Sequence, residues 1–176
     1  MTNISMDKVA LAKNGNKEAF GELYAELWQD LYRYSLYFLG NKEDAADAVQ
    51  ETAMAAYKSM PALRSTESFR AWIFAIAATN CKRMLSGVID KRKTSPIEDL
   101  LGIGVDDKTR ETDEAIELTQ EIGGLKADEK TIILLSVVGG YNSREIAKML
   151  KKPEGTVRSK MSRALQKLRE KMTREE

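Results

Sequence analysis

Asn142-Ser143-Arg144-Glu145-Ile146-Ala147-Lys148-Met149-Leu150-Lys151-Lys152-Pro153-Glu154-Gly155-Thr156-Val157-Arg158-Ser159-Lys160-Met161-Ser162-Arg163-Ala164-Leu165 reads as two helices joined by a tight turn. Asn142 and Glu145 have the spacing of a capping box, in which each side chain satisfies the other residue's backbone amide. The first helix, Ser143 to Leu150, turns Ile146, Met149 and Leu150 inward. Ala147 is small, so a second helix can cross closely there. Lys151-Lys152-Pro153 forms the turn, and Glu154 and Thr156 suit the start of the next helix, where amide groups are unpaired. In that helix Val157, Met161, Ala164, Leu165 and Leu168 recur at core spacing. Arg158, Ser159, Lys160, Ser162, Arg163 and Lys167 point outward.

This is the pattern of a helix-turn-helix DNA reader. A helix laid in the major groove reads bases near its N-terminus and grips phosphate with flanking cations. Arg158, Ser159 and Ser162 are the expected base readers, with Thr156 at the helix start in the same DNA-facing set. Lys160, Arg163 and Arg144 are expected on phosphates. The plainer alternative is a helical hairpin with a cationic solvent face. The caps, the turn proline, the small crossing residue and the outward cations together favour the DNA reader.

Outward from this motif the chain stays helical. Residues 127–138 carry Ile132, Ile133, Leu135 and Val138, and a helix from about Asp113 to Ile122 ends at Gly123-Gly124. Between Gly87 and Thr112 periodicity fails and Gly, Pro, Ser, Asp and Lys dominate, which predicts a flexible linker. Before it, Ser5 and Asn16 are candidate caps. Phe20, Leu23, Tyr24, Leu27, Leu31, Tyr34 and Phe38 form one helical stripe, stopped at Gly40. Asn41 starts a third helix that runs to about Ser59. A fourth begins near Thr66 or Ser68, with Phe69, Trp72, Ile73, Ile76, Ala77, Asn80, Cys81 and Met84 at core spacing and Trp72 assigned to the core. The expected fold is all-α: a four-helix unit over 1–86, an acidic linker over 87–112 and the helix-turn-helix unit over 113–176.

Composition agrees with this and removes some chemistry. The chain has no histidine, so imidazole acid–base chemistry and His metal sites are absent. Its one cysteine, Cys81, cannot form an internal disulfide and is expected to be a buried thiol. No apolar run approaches the roughly 20 residues needed to span a bilayer, and Met1 to Ser5 lack the basic start of a signal peptide. A cytoplasmic protein without membrane insertion follows as the expectation. The net charge of +1 hides an uneven distribution: residues 94–124 carry 2 cationic against 9 acidic groups, and residues 125–176 carry 13 against 7. A basic module beside an acidic segment suggests nucleic-acid contact at the basic end.

Three motifs, in order, resemble one family. Glu145-Ile146-Ala147, with Gly155-Thr156-Val157-Arg158-Ser159 and Arg163-Ala164, resembles region 4 of bacterial RNA polymerase sigma factors. Asp44-Ala45-Ala46-Asp47-Ala48-Val49-Gln50-Glu51-Thr52 resembles their region 2 signature. Phe69-Arg70-Ala71-Trp72-Ile73-Phe74-Ala75-Ile76-Ala77 resembles the promoter-reading helix that follows it. Two modules on a short linker resemble the extracytoplasmic-function class. The chain departs from the usual pattern at Ala78-Thr79, where the family often has Arg-Asn, and at Lys126 and Ser162.

The resemblance implies partners and sites. Asp44, Asp47, Gln50 and Glu51, on neighbouring turns of one helix face, would dock on core RNA polymerase. Arg64, Ser65, Thr66 and Ser68 would capture bases of the melted upstream promoter element, and Asn80, Lys82 and Arg83 would meet the DNA nearby. Promoter DNA and an anti-sigma protein are the further partners implied. No cofactor, metal or catalytic residue is expected. One alternative is a stand-alone dimeric helix-turn-helix regulator, which leaves the Asp44–Glu51 and Phe69–Ala77 motifs without a purpose. Another is a helical enzyme using the carboxylates around Asp44, which would require a second carboxylate helix to hold a cation.

Overall fold

The computed structural model describes residues 4–87 and 113–174, and all regular structure among them is helical. The predicted linker therefore lies, apart from Gly87, outside the described residues. The first unit contains α1 (Met6–Lys13), α2 (Lys17–Leu39), α3 (Lys42–Ser59) and α4 (Phe69–Leu85), with short 3-10 turns at Met60–Ala62 and Thr66–Ser68. The second contains α5 (Asp113–Gly123), α6 (Ala127–Val137), α7 (Ser143–Leu150) and α8 (Glu154–Met172).

The helix ends follow local chemistry. Ser5, Asn16 and Asn41 each accept a backbone N–H in the first turn of the helix they start. Gly40 ends α2 in the left-handed conformation at φ 72°, which glycine adopts without a Cβ penalty. The α2 stripe from Phe20 to Phe38 is buried throughout, against α3 and α4. Each large side chain hidden this way contributes about 1.5–3 kcal/mol. In the second unit α6 and α7 pack on α8, with Ile132, Leu134, Ile146, Val157 and Ala164 buried.

The two units do not stand apart. Helices α5 and α6 pack on α2, and α6 and α7 pack on α4. The helix patterns read from sequence fall short at a few positions. Phe74 and Ala78, off the expected stripe of α4, are buried, and the Phe74 ring meets Tyr141 edge-on at 6.0 Å between centroids. Trp72 is half-buried, its ring 6.0 Å from Phe69. Leu165, expected inside, is exposed, while its neighbour Ala164 is buried and Leu168 packs against the core. Among the described residues no helix is long and apolar enough to cross a membrane.

Candidate nucleic-acid interface

The helix-turn-helix forms as its residues dictate. Asn142 N–H donates to Glu145 Oε2 at 2.8 Å, and Glu145 N–H donates to Asn142 Oδ1 at 3.0 Å. The turn is closed by Lys152 N–H donating to the Ala147 carbonyl at 2.9 Å. Lys151 sits between, left-handed at φ 52°. This is the hydrogen-bond pattern with which helices commonly end on glycine. Here a lysine takes the strained position.

On α8 the expected DNA-facing residues divide into two groups. Thr156, Arg158, Ser159, Ser162 and Arg163 are all exposed, as is Arg144 on α7. They form an open surface, and its internal contacts are loose. Glu154 lies 3.7 Å from Arg144 and 3.8 Å from Arg158, and Arg163 reaches the Ser159 hydroxyl at 3.5 Å. Exposed pairs of this kind contribute little to stability and exchange readily for another anion. Lys160 points elsewhere. Its ammonium donates to Asp128 Oδ2 at 2.7 Å.

Asp128, in the first turn of α6, is a hub that the sequence did not reveal. It also accepts from Lys82 of α4 at 2.5 Å and from Lys152 of the turn at 3.4 Å. Hydrogen bonds from Lys160 and then Lys82 hold its carboxyl well below the usual carboxylate range. Nothing in local spacing marks this residue. It reads as an ordinary first-turn acid, and its three partners lie 46 residues before it and 24 and 32 after it. The next residue, Glu129, pairs with Lys167 at 2.8 Å and accepts from the Lys126 N–H, so its carboxyl is lowered chiefly by Lys167.

The upstream site is assembled on the first unit. Arg64, Ser65 and Ser68 are exposed and Thr66 is half-buried, all in or beside the 3-10 turn that leads into α4. The Ser68 hydroxyl donates to the Ser65 carbonyl at 2.8 Å, which fixes the turn and leaves its oxygen able to accept. Arg83 is exposed, and Lys82 is engaged with Asp128.

Asn80 corrects the expectation. It is buried at 6% exposure and donates to the Thr52 hydroxyl at 3.3 Å, bridging α4 to α3. One residue along a helix is about 100° of rotation, enough to carry an amide from surface to interior. The residue on the exposed side of that step is Thr79.

On α3, Gln50 is exposed and Asp44, Asp47 and Glu51 are half-buried. Ala45, Ala48, Val49 and Thr52 occupy the opposite, buried face. The four polar groups thus share the outward side of one helix, as their spacing required. Among the described residues no group of three or more His, Cys, Asp or Glu side chains is arranged to hold a metal ion.

Comparison with known proteins matches this geometry to a family. Residues 23–87 match the family model for sigma-70 region 2, and residues 115–168 match that for sigma-70, region 4. The chain is similar to the ECF RNA polymerase sigma-E factor of Haemophilus influenzae, 28% identical over 179 residues and covering 93% of each chain. It is also similar to RNA polymerase sigma factor SigV of Bacillus subtilis, 29% identical over 153 residues, covering 84% of this chain and 87% of that one. Among solved structures, CnrH in complex with the cytosolic domain of CnrY shares the fold at a TM-score of 0.74 and 23% identity, covering 97% of this chain and 98% of that one. The sigma factor RpoE in complex with the anti-sigma factor NepR from Bartonella quintana shares it at 0.64 and 20% identity, covering 86% and 97%.

Proposed function

The chain belongs to the sigma-70 family of RNA polymerase sigma factors, in the extracytoplasmic-function class, and from that premise we propose how its residues divide the work of starting transcription. The protein is a promoter-specificity factor that binds core RNA polymerase and directs initiation at one class of promoter. The observation that carries this is the presence, on one chain and in the family's order, of both sigma regions, the second being a helix-turn-helix with an open Arg/Ser face.

In this division of labour the first unit, within residues 1–86, docks on polymerase through Asp44, Asp47, Gln50 and Glu51. An acidic and amide face suits cationic and polar groups on the partner. The turn from Arg64 to Ser68 receives bases of the melted upstream element, with Lys82 and Arg83 on the adjacent backbone. The second unit, within 113–176, reads the distal duplex element with Arg158, Ser159 and Ser162 and grips phosphate with Arg163 and Arg144. The segment 87–112 connects the two, so that each binding event raises the effective concentration of the other. Bond-forming chemistry belongs to the polymerase. The factor acts in the cytoplasm, where polymerase and chromosome lie, and an anti-sigma protein holds it inactive until needed.

The test is a pull-down of purified core RNA polymerase with the wild type beside the double variant Asp47→Arg, Gln50→Ala. Strong wild-type binding that the variant loses supports the assignment of α3 as the polymerase face. Absence of wild-type binding by folded, inhibitor-free protein would favour a regulator that binds duplex DNA alone.

A further inference from the structure

The first turn of the reading helix α8 carries one acid, Glu154. Each of its carboxylate oxygens faces a different arginine. Oε2 lies 3.7 Å from Nε of Arg144 on α7, and Oε1 lies 3.8 Å from Nε of Arg158, one turn further along α8. Arg144 stands in the phosphate-gripping set and Arg158 in the base-reading set. A carboxylate between them repels a polyanion at the helix end that must approach it, and so works against binding to duplex DNA as such.

The ordinary role of a first-turn acid is to favour the positive end of the helix dipole. Glu154 has that role and a second set of contacts besides. The α8 N-cap is Pro153, which makes no side-chain cap, and the Thr156 and Val157 amides donate to its carbonyl at 3.1 and 3.2 Å. The Glu154 oxygens are turned to the two guanidinium groups instead, and both contacts are made at Nε. The terminal pair of nitrogens, the fork that matches O6 and N7 of guanine, is not what the carboxylate holds.

This arrangement biases the choice that Arg158 has on a duplex. Its side chain is long and 67% exposed, and the densest negative charge within its reach on DNA is phosphate. Glu154, four residues before it, draws the guanidinium back toward the N-terminus of α8, the end that meets base edges. The same carboxylate repels phosphate oxygens, whereas O6 and N7 of guanine are neutral acceptors that it penalises less. A phosphate on Arg158 replaces the ion pair. A guanine taken by the terminal nitrogens leaves it in place.

We propose that Glu154 is the positioning residue of the distal-element reader. It aims Arg158 at base edges and makes phosphate the poorer partner, which lowers affinity for duplexes in general and raises discrimination among them. Specificity is a difference of affinities, and a repulsive element that acts more strongly on the wrong contact increases it. Arg144 attracts the carboxylate from the side of α7, so both helices of the motif set where Arg158 is aimed. The proposal rests on the assignment of α8 as the duplex reader and of Arg158 as one of its base contacts.

The test uses the full chain, a randomised duplex library whose bound fraction is sequenced, and one mixed-sequence duplex titrated at two salt concentrations. Glu154→Gln should bind the mixed-sequence duplex about three- to fivefold tighter, the upper scale for one exposed ion pair, with a salt dependence steeper by about one phosphate contact. In the library it should lose about fivefold of preference at the base pair that Arg158→Ala relaxes. In the Arg158→Ala background, Glu154→Gln should change that base pair no further, because it acts through Arg158. A helix-start role alone would lower the melting temperature of Glu154→Gln and leave its base preferences as in the parent, which would overturn the proposal while the reading role of Arg158 stands. Preference lost at a different base pair, and lost equally without Arg158, would overturn it too, since Glu154 would then touch a base itself. Unchanged preferences in Arg158→Ala as well would sink the reading assignment and this role with it.

Discussion

Arg70, in the first turn of α4, donates a 2.8 Å hydrogen bond to the hydroxyl of Tyr141, a residue 71 positions later in the loop that opens the helix-turn-helix. The guanidinium also donates to the Gly139 carbonyl at 2.8 Å and to Asp30 of α2 at 3.2 Å. It lies against the rings of Phe74 and Tyr141, 4.8 and 5.3 Å from their centres. A planar cation with several donors can satisfy a carbonyl, a hydroxyl and a carboxylate together while stacking on aromatic faces. One side chain thereby joins α2, α4 and the start of the helix-turn-helix.

Removing it should loosen the two units from one another. Arg70→Ala is expected to cost about 2–3 kcal/mol, the scale of lost hydrogen bonds to a charged group, and to split urea unfolding into two transitions. Tyr141→Phe keeps the ring and loses only the hydroxyl, so about 1 kcal/mol is expected with a single transition retained. Equal midpoints for Arg70→Ala and the parent would mean that the clamp contributes nothing.

Lys151 offers a gain instead. Its left-handed backbone costs a residue with a Cβ about 1–2 kcal/mol relative to the right-handed region. Lys151→Gly should relieve that strain, offset in part by the greater freedom of glycine in the unfolded chain, for a net stabilisation of about 0.5–1 kcal/mol. A rise in melting temperature without loss of duplex binding is the expected result. A fall would show that the lysine side chain contributes more than its backbone costs.

The exposed face of α8 should separate by role. Arg158→Ala is expected to cost about 1–3 kcal/mol at one base pair of the distal element and to relax preference there. Arg163→Ala should weaken binding to all duplexes alike and flatten the salt dependence by about one phosphate contact. Titrating both variants against a set of single-base-pair substitutions, at two salt concentrations, distinguishes these outcomes. Identical specificity profiles for Arg158→Ala and the wild type would remove Arg158 from the reading set.

Cys81 reports on the first unit's core. Burial pushes its thiol from 9.0 up to about 12, partly offset by its contact with the Ser35 hydroxyl at 3.5 Å. The folded value is the higher one, so the stability this group contributes is complete below pH 9 and is lost as pH rises toward 12. At pH 8 a thiol reagent should modify the native protein only as fast as the core opens, and readily in denaturant. Rapid native-state modification would contradict the burial of Cys81.

The sequence by itself determined the helices, their caps and the turn, because those depend on neighbours within four residues. Asn142 with Glu145, the α2 stripe from Phe20 to Phe38, and the outward set Arg158, Ser159, Ser162 and Arg163 all follow from helical period and local hydrogen bonding. Three motifs in order also carried the family. Tertiary structure alone decided which polar groups of α4 face outward and which of its apolar groups are doubly covered. Asn80 turned inward to Thr52, Phe74 and Ala78 were buried beyond the single stripe, and Lys82 and Lys160 met at Asp128. Those outcomes depend on packing between helices dozens of residues apart in sequence, within the first unit for Asn80 and between the units for Phe74, Lys82 and Lys160, and no local period encodes a partner that distant.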